Sequence, residues 1–319
     1  MKIGFKLMAE KFGPTELVRQ AVRAEELGFD FVEISDHYHP WLYSHGHSPL
    51  AWTVLGAIAN ATERIRLGTG VTCPFLRYHP AIIAQAAATT ALLSEGRHFL
   101  GVGAGERLNE HVVGAGFPSA TERHRMLREA MEIIRRLWSG GMHSFDGEYL
   151  TLEDARVYDL PDVPPPVIVA ISGEESAKVA AEYGDGVFAT EPRSELPRLY
   201  ERAGGYGPRY NEVPLAINAD RATALRDARE MFRFSAGGWK VMSELPNPVN
   251  FEAASQYVTV DDIAEMMSAG PDPQDHIAQV RTFADAGFDH LALVNAGGDV
   301  DEFLDYYQEE LAGPLGSLV

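Results

Sequence analysis

Short apolar runs alternate with amphipathic stretches along most of the chain. Lys2–Lys6 reads as a strand, and Pro14 opens a helix over Thr15–Leu27 in which Leu17, Ala21 and Ala24 recur at helical spacing. Gly28 closes that helix and Phe31–Ile34 is the next strand. The same alternation predicts helix Pro49–Thr62, strand Arg66–Thr69, helix Pro80–Leu93 and strand Phe99–Val102. A long helix, Ala120–Ser139, then carries Met126, Ala130, Ile133, Ile134 and Leu137 on one face. The texture changes at His143–Leu152, where Asp146-Gly147 is hairpin chemistry, and at the proline-rich loop Tyr158–Pro166. Strand Val167–Ala170, helix Glu175–Tyr183, strand Gly186–Ala189 and helix Ser194–Arg202 resume the rhythm. Strand Leu215–Asn218, helix Ala222–Phe234, helix Pro273–Ala286, strand His290–Val294 and helix Val300–Leu311 complete it.

One internal echo supports repeated strand–helix units. Leu27-Gly28-Phe29-Asp30 and Ala286-Gly287-Phe288-Asp289 each end a helix, and an apolar strand follows both. About eight such pairs favour a closed (β/α)8 TIM barrel over a doubly wound sheet. Gly101-Val102-Gly103-Ala104-Gly105 is glycine-rich, but the last glycine of a dinucleotide fingerprint and its acidic partner are missing. The chain, 1–319, is read as a single domain. Residues 235–272 break the rhythm and are expected to form an insertion of short helices over the barrel mouth.

Composition narrows the partners. The formal net charge is −19, with 46 acidic residues against 27 Lys and Arg, which disfavours nucleic acid and anionic membranes. An anionic cofactor would need local backbone amides or a few placed bases. No apolar run reaches the roughly 18 residues of a membrane span, and no signal-peptide pattern opens the chain. The single cysteine, Cys73, forms no internal disulfide, and a cytoplasmic setting is expected.

Two polar clusters follow apolar strands, where a barrel presents its active site. The first, Ser35-Asp36-His37-Tyr38-His39-Pro40-Trp41, gathers an acid, an imidazole and an indole. His37 is suited to proton transfer near neutral pH, although an Asp-His pair is also common in purely structural roles. His39, His45 and His47 lack ligand-like spacing, so no metal site is expected. In the second cluster Glu106 follows three glycines, Gly101, Gly103 and Gly105, which permit close approach of a ligand. Glu106 is readable either as a general acid or as a first-turn helix residue, with Asn109 on the same face. Gly70-Val71 at a strand end permits unusual peptide geometry. Cys73 has no activating base in sequence. Ser172-Gly173-Glu174-Glu175-Ser176 begins a helix after a strand, and is readable either as free amides that hold a phosphate or as glutamates that simply favour the helix terminus.

Together these segments, with Lys6-Leu7-Met8-Ala9-Glu10-Lys11-Phe12, Arg77-Tyr78-His79-Pro80-Ala81 and Gly184-Asp185-Gly186, resemble the luciferase-like family of (β/α)8 oxidoreductases. Within it they resemble the coenzyme F420-dependent, glucose-6-phosphate dehydrogenase-like branch. The resemblance implies hydride transfer between a hydroxyl-bearing carbon of an alcohol or sugar phosphate and C5 of a deazaflavin. An FMN-dependent monooxygenase or flavin oxidoreductase is the alternative. It further implies His37 as acceptor of the substrate proton, Glu106 as donor to the ring's N1 side, Trp41 enclosing the reacting carbon, and Glu10 as a further site carboxylate. Asp36, Cys73, Ala104, Gly105, Asn109, Ser172, Gly173, Glu175 and Ser176 match cofactor-contacting positions. Gly70 and Val71 match a strand-end bulge with a non-proline cis peptide that backs the ring. Thr190, Arg193 and Lys240 match the substrate pocket, and Met266 stands where a phosphate-holding Arg is expected. A homodimer acting on a small-molecule substrate is implied as well.

Overall fold

The computed structural model describes residues 1–318. Eight parallel strands close on themselves. We number them β1 (Lys2–Leu7), β2 (Phe31–Ile34), β3 (Arg66–Thr69), β4 (His98–Val102), β5 (Val167–Ala170), β6 (Gly186–Ala189), β7 (Arg209–Ile217) and β8 (His290–Asn295). Each pairs with the next, and β8 returns to β1, so the TIM barrel has no free edge. Pro14 occupies the first turn of the helix after β1, where its missing N–H costs nothing, and Gly28 ends the connection at φ 80°. Gly287 does the same before β8 at φ 99°, as the echo implied. Outside the barrel, Ile34, Leu67, Leu100, Val169 and Leu293 pack against the surrounding helices.

Inside, one layer is apolar: Phe31, Phe99, Ile168, Phe188, Tyr210 and Ala292 form a cluster of their own. Gly4 pairs with Phe31 and Lys6 with Glu33, so two residues nearer the strand ends the interior turns polar. That change of character marks the floor of the site.

Several boundaries differ from the sequence reading. The seventh strand begins at Arg209, six residues before the expected Leu215. Asn211, Glu212 and Pro214 conceal it, because Glu212 is paired with Lys6 inside the barrel where an apolar residue was sought. A short helix, Arg107–Glu110, follows Glu106, and the last long helix relaxes into a wider π turn at Tyr307–Leu311. The hairpin forms as expected, His143–Asp146 against Thr151–Ala155. Residues 235–272 contain the short helices Trp239–Met242, Pro248–Ser255 and Val260–Met266, and a strand, Ser268–Gly270, that adds to β7. Among the described residues no helix is long and apolar enough to cross a membrane.

Candidate active site

A cavity of about 640 Å³ opens where the barrel strands end, and every one of the eight strands or the loop after it contributes to its lining. At its centre His37 lies between two carboxylates. Its Nδ1 is 2.8 Å from Glu10 Oε1 and its Nε2 is 2.8 Å from Glu106 Oε1. The Nδ1 contact is a charge contact more than an in-line hydrogen bond. Burial opposes a charged ring, but Glu106 and Glu10 outweigh it and raise the imidazole to about 10. Burial likewise opposes ionisation of Glu10, yet His37 and Lys6 hold that carboxyl down to about 2. At neutral pH His37 is therefore an imidazolium, so the ring is set to give a proton before it can accept one.

The loop after β2 is fixed from behind. Asn109 Oδ1 accepts from the amides of Tyr38 (2.8 Å) and His39 (3.1 Å), and its Nδ2 donates to Glu106 Oε1 at 2.8 Å. Asn109 thus orients both proton-handling side chains, and it does not line the cavity as a cofactor contact would. Asp36 does reach the lining, but its carboxylate already accepts from Thr72 Oγ1 and from Tyr78 OH at 3.1 Å and is ion-paired with Arg77 3.1 Å away, while Arg77 donates to the Asp36 carbonyl oxygen at 2.6 Å. Trp41 meets His37 edge-on at 4.7 Å and stacks on Phe234 at 4.9 Å, with Phe251 against it. This aromatic wall shields the imidazole from water.

Another part of the wall is rich in glycine. Gly70–Val71 is a cis peptide, as the resemblance implied, and Thr72 continues β3 against Val102. A Cβ on Gly103 would stand 2.8 Å from Val71 Cγ2, and one on Gly105, itself at φ 77°, would stand 2.8 Å from Cys73 Sγ. Gly103 and Gly105 leave no room for side chains of their own, so backbone itself forms part of this wall. Gly70, Val71, Cys73, Ala104 and Gly105 all lie on it. The Cys73 thiol is pushed well up by burial and by Glu110, which removes it as a nucleophile.

Other expectations are met unevenly. Ser172 and Ser176 line the cavity, whereas Gly173 and Glu175 do not. The amides of Ser172 and Gly173 already donate to Ser176 Oγ at 3.0 and 3.2 Å, and Glu175 is exposed and paired with Lys178 at 2.8 Å. Thr190, Arg193 and Lys240 also line the cavity. Arg193 is flanked there by Glu191 and Glu195. Met266 packs beside Ile263 and Ala224, away from the cavity.

Several charged or titratable lining residues escaped the sequence reading. Lys6 and Glu212 were hidden inside strands, Glu110 one helical turn beyond Glu106, and Arg123 and His124 in the first turns of a long helix. Glu110 is buried beside Arg77, and its desolvation, only partly offset by that guanidinium, raises it to about 7. Arg123, paired with Glu244 at 3.2 Å, and His124, whose imidazole burial pushes down, bring basic side chains to the lining.

The family model described as luciferase-like monooxygenase matches residues 1–290. Over the whole chain, the F420-dependent glucose-6-phosphate dehydrogenase of Amycolatopsis mediterranei (strain U-32) is 37% identical, with 99% of its length covered. The protein of the same name from Kineococcus radiotolerans is 39% identical, covering 98% of this chain and 96% of its own. Among solved structures, an F420-dependent secondary alcohol dehydrogenase in complex with an F420-acetone adduct superimposes with a TM-score of 0.90 at 30% identity, over 98% of both chains. With a barrel of this topology, a family model matched over residues 1–290 and full-length relatives of this kind, the chain belongs to the luciferase-like monooxygenase family.

Proposed function

We propose that the chain is an F420-dependent dehydrogenase that transfers a hydride between the hydroxyl-bearing carbon of an alcohol or sugar phosphate and C5 of the deazaflavin. The observation that carries this reading is the His37 imidazolium clamped between Glu10 and Glu106 in a cavity that a glycine-rich wall also lines. The named relatives, dehydrogenases of glucose 6-phosphate and of a secondary alcohol, support it. Bound at that wall, a deazaflavin would supply the carbon centre that exchanges hydride.

The residues of the chain do the remaining work. Gly70, Val71, Gly103 and Gly105 would hold the flat ring. Trp41 and Phe234 exclude water, so charges in the cavity act on one another with little screening. When a carbonyl is reduced, His37 Nε2–H is the donor to its oxygen. When an alcohol is oxidised, His37 first passes that proton to Glu106 Oε1, 2.8 Å away, and then accepts the hydroxyl proton at Nε2. Asn109 keeps Glu106 in place for that exchange. Glu10, deep and ionised, stabilises the imidazolium throughout.

Thr190, Arg193 and Lys240 would meet the part of the substrate remote from the reacting carbon. A homodimer and a cytoplasmic setting belong to the same proposal; light scattering on purified protein tests the first. Equilibrium titration of the purified protein with F420 and, separately, FMN, followed by ligand fluorescence, tests the cofactor. Saturable F420 binding is expected. Tight FMN binding without F420 affinity would replace this reading with a flavin-dependent one.

A further inference from the structure

A charged set lies at the floor of the cavity, and the proton chemistry above draws on it only through the charge of Lys6 acting on Glu10. Lys6 and Glu33 are direct partners on β1 and β2, and Glu212 comes from β7. Lys6 Nζ donates to the Gly70 carbonyl oxygen at 2.7 Å and to Glu212 Oε1, and stands 3.8 Å from Glu33 Oε1. Glu33 is fully buried directly under Gly70, where a Cβ would sit 3.0 Å from Glu33 Cδ.

Neither Glu33 oxygen receives a hydrogen bond. Lys6 spends its close contacts on Gly70 and Glu212 and does not reach Glu33 within bonding distance. The Glu33 and Glu212 carboxylates both stand beside the one Lys6 ammonium, and two ionised carboxylates sharing one cation in a buried place repel. One proton resolves both difficulties. On Glu33 it turns an acceptor without donors into a donor to Glu212, and Lys6 is then balanced by a single negative charge.

We propose that Glu33 is a proton-carrying positioning residue: as the neutral acid it donates to Glu212 and leaves Lys6 free to hold the Gly70 carbonyl, and with it the Gly70–Val71 wall of the cavity. Its effect on cofactor binding rests on the reading above, that the ring lies against this wall. The charged groups facing Glu33 are Lys6 from β1 and Glu212 from β7; β3 presents only the Gly70 backbone, and Glu10 acts on Lys6 from the loop after β1. Burial chiefly pushes the Glu33 carboxyl well above the usual range, Lys6 opposes this, and Glu212 adds to it.

The test pairs Glu33→Gln, a neutral donor of nearly the same shape, with Lys6→Met. Thermal unfolding of the cofactor-free protein is recorded between pH 5 and 9, and F420 affinity is measured by fluorescence quenching. A carboxyl whose folded pKa is raised contributes stability at low pH that is lost as pH climbs from about 4.3 toward its folded value. The advantage in Tm of Glu33→Gln over the natural protein should therefore grow with pH. At pH 7 Glu33→Gln should bind F420 within about twofold of the natural protein, and Lys6→Met at least about tenfold more weakly, as expected for losing one charged hydrogen bond. A Tm difference independent of pH would overturn the proposal, as would a Glu33→Gln protein that loses F420 as severely as Lys6→Met. Failure of every form, the natural protein included, to bind F420 would remove the functional reading, and the Tm comparison would still decide whether Glu33 carries the proton.

Discussion

Replacing Glu106 by Gln removes one of the two charges that hold the proton on His37 and leaves the shape of the clamp nearly unchanged. The ring rises from 6.5 to about 10, which corresponds to about 5 kcal/mol in favour of the charged form at 1.36 kcal/mol per unit. A carboxylate centred about 4 Å from the ring contributes about 4 kcal/mol at an effective dielectric of about 20, or about 3 pKa units. In Glu106→Gln the imidazole should therefore titrate near about 7, with Glu10 alone still supporting it. Ring-proton and ring-nitrogen NMR of His37 in the cofactor-free protein reads this directly, with His37→Gln identifying the resonance. The linked stability follows the same sign. The His37 contribution is full below the unfolded value near about 6.5 and is lost as pH rises to about 10. The Glu10 contribution is full above about 4.3 and is lost as pH falls to about 2. A natural-protein ring titrating near 6.5, or a Glu106→Gln ring still titrating above about 9, would refute the clamp as the source of the perturbation.

Three further outcomes are expected. His37→Ala should lower turnover by about 10²–10⁴-fold and leave F420 affinity nearly unchanged in a fluorescence titration, because its ring handles the substrate proton and is not part of the glycine-rich wall. Trp41→Ala empties a site packed by Phe234 and Phe251 and should destabilise the protein by about 3–5 kcal/mol in chemical denaturation. Gly105→Ala forces a side chain into a left-handed conformation against Cys73 Sγ, costing about 1–2 kcal/mol of stability, and its intrusion on the glycine-rich wall should weaken F420 binding in the same titration assay.

The barrel was legible because its strands are apolar on both faces and its helices are punctuated by proline and glycine. Pro14, Gly28, Pro80 and Gly287 mark element boundaries that the structure keeps. The strand that escaped, Arg209–Ile217, carries Glu212 on its inner face, and an ion pair reads as surface when its partner 206 residues away is unknown. The same holds at the site. His37, Glu106 and Trp41 announce themselves by position after apolar strands, yet nothing in sequence says that Glu10 and Glu106 approach one imidazole from both sides. That distance, not the residue types, decides that His37 begins protonated. Asn109 illustrates the converse: its spacing from Glu106 was legible, but its task of holding Glu106 and the loop after β2 depends on two amides 70 and 71 positions away. At the Ser172–Ser176 turn, local side-chain bonding to Ser176 Oγ uses the amides that an anion would need, a competition that composition does not reveal.

The central claim is that the His37 clamp serves hydride transfer to and from a deazaflavin at the glycine wall. Its most direct test is to mix the purified protein and its His37→Ala variant with oxidised F420 and, in parallel, with FMN, and to add a secondary alcohol or glucose 6-phosphate while following cofactor absorbance. The account predicts that F420 is bleached by the natural protein with at least one of these substrates, that the variant binds F420 without bleaching it, and that FMN is not reduced. Bleaching by the variant at the natural rate, or reduction of FMN and not of F420, would contradict it.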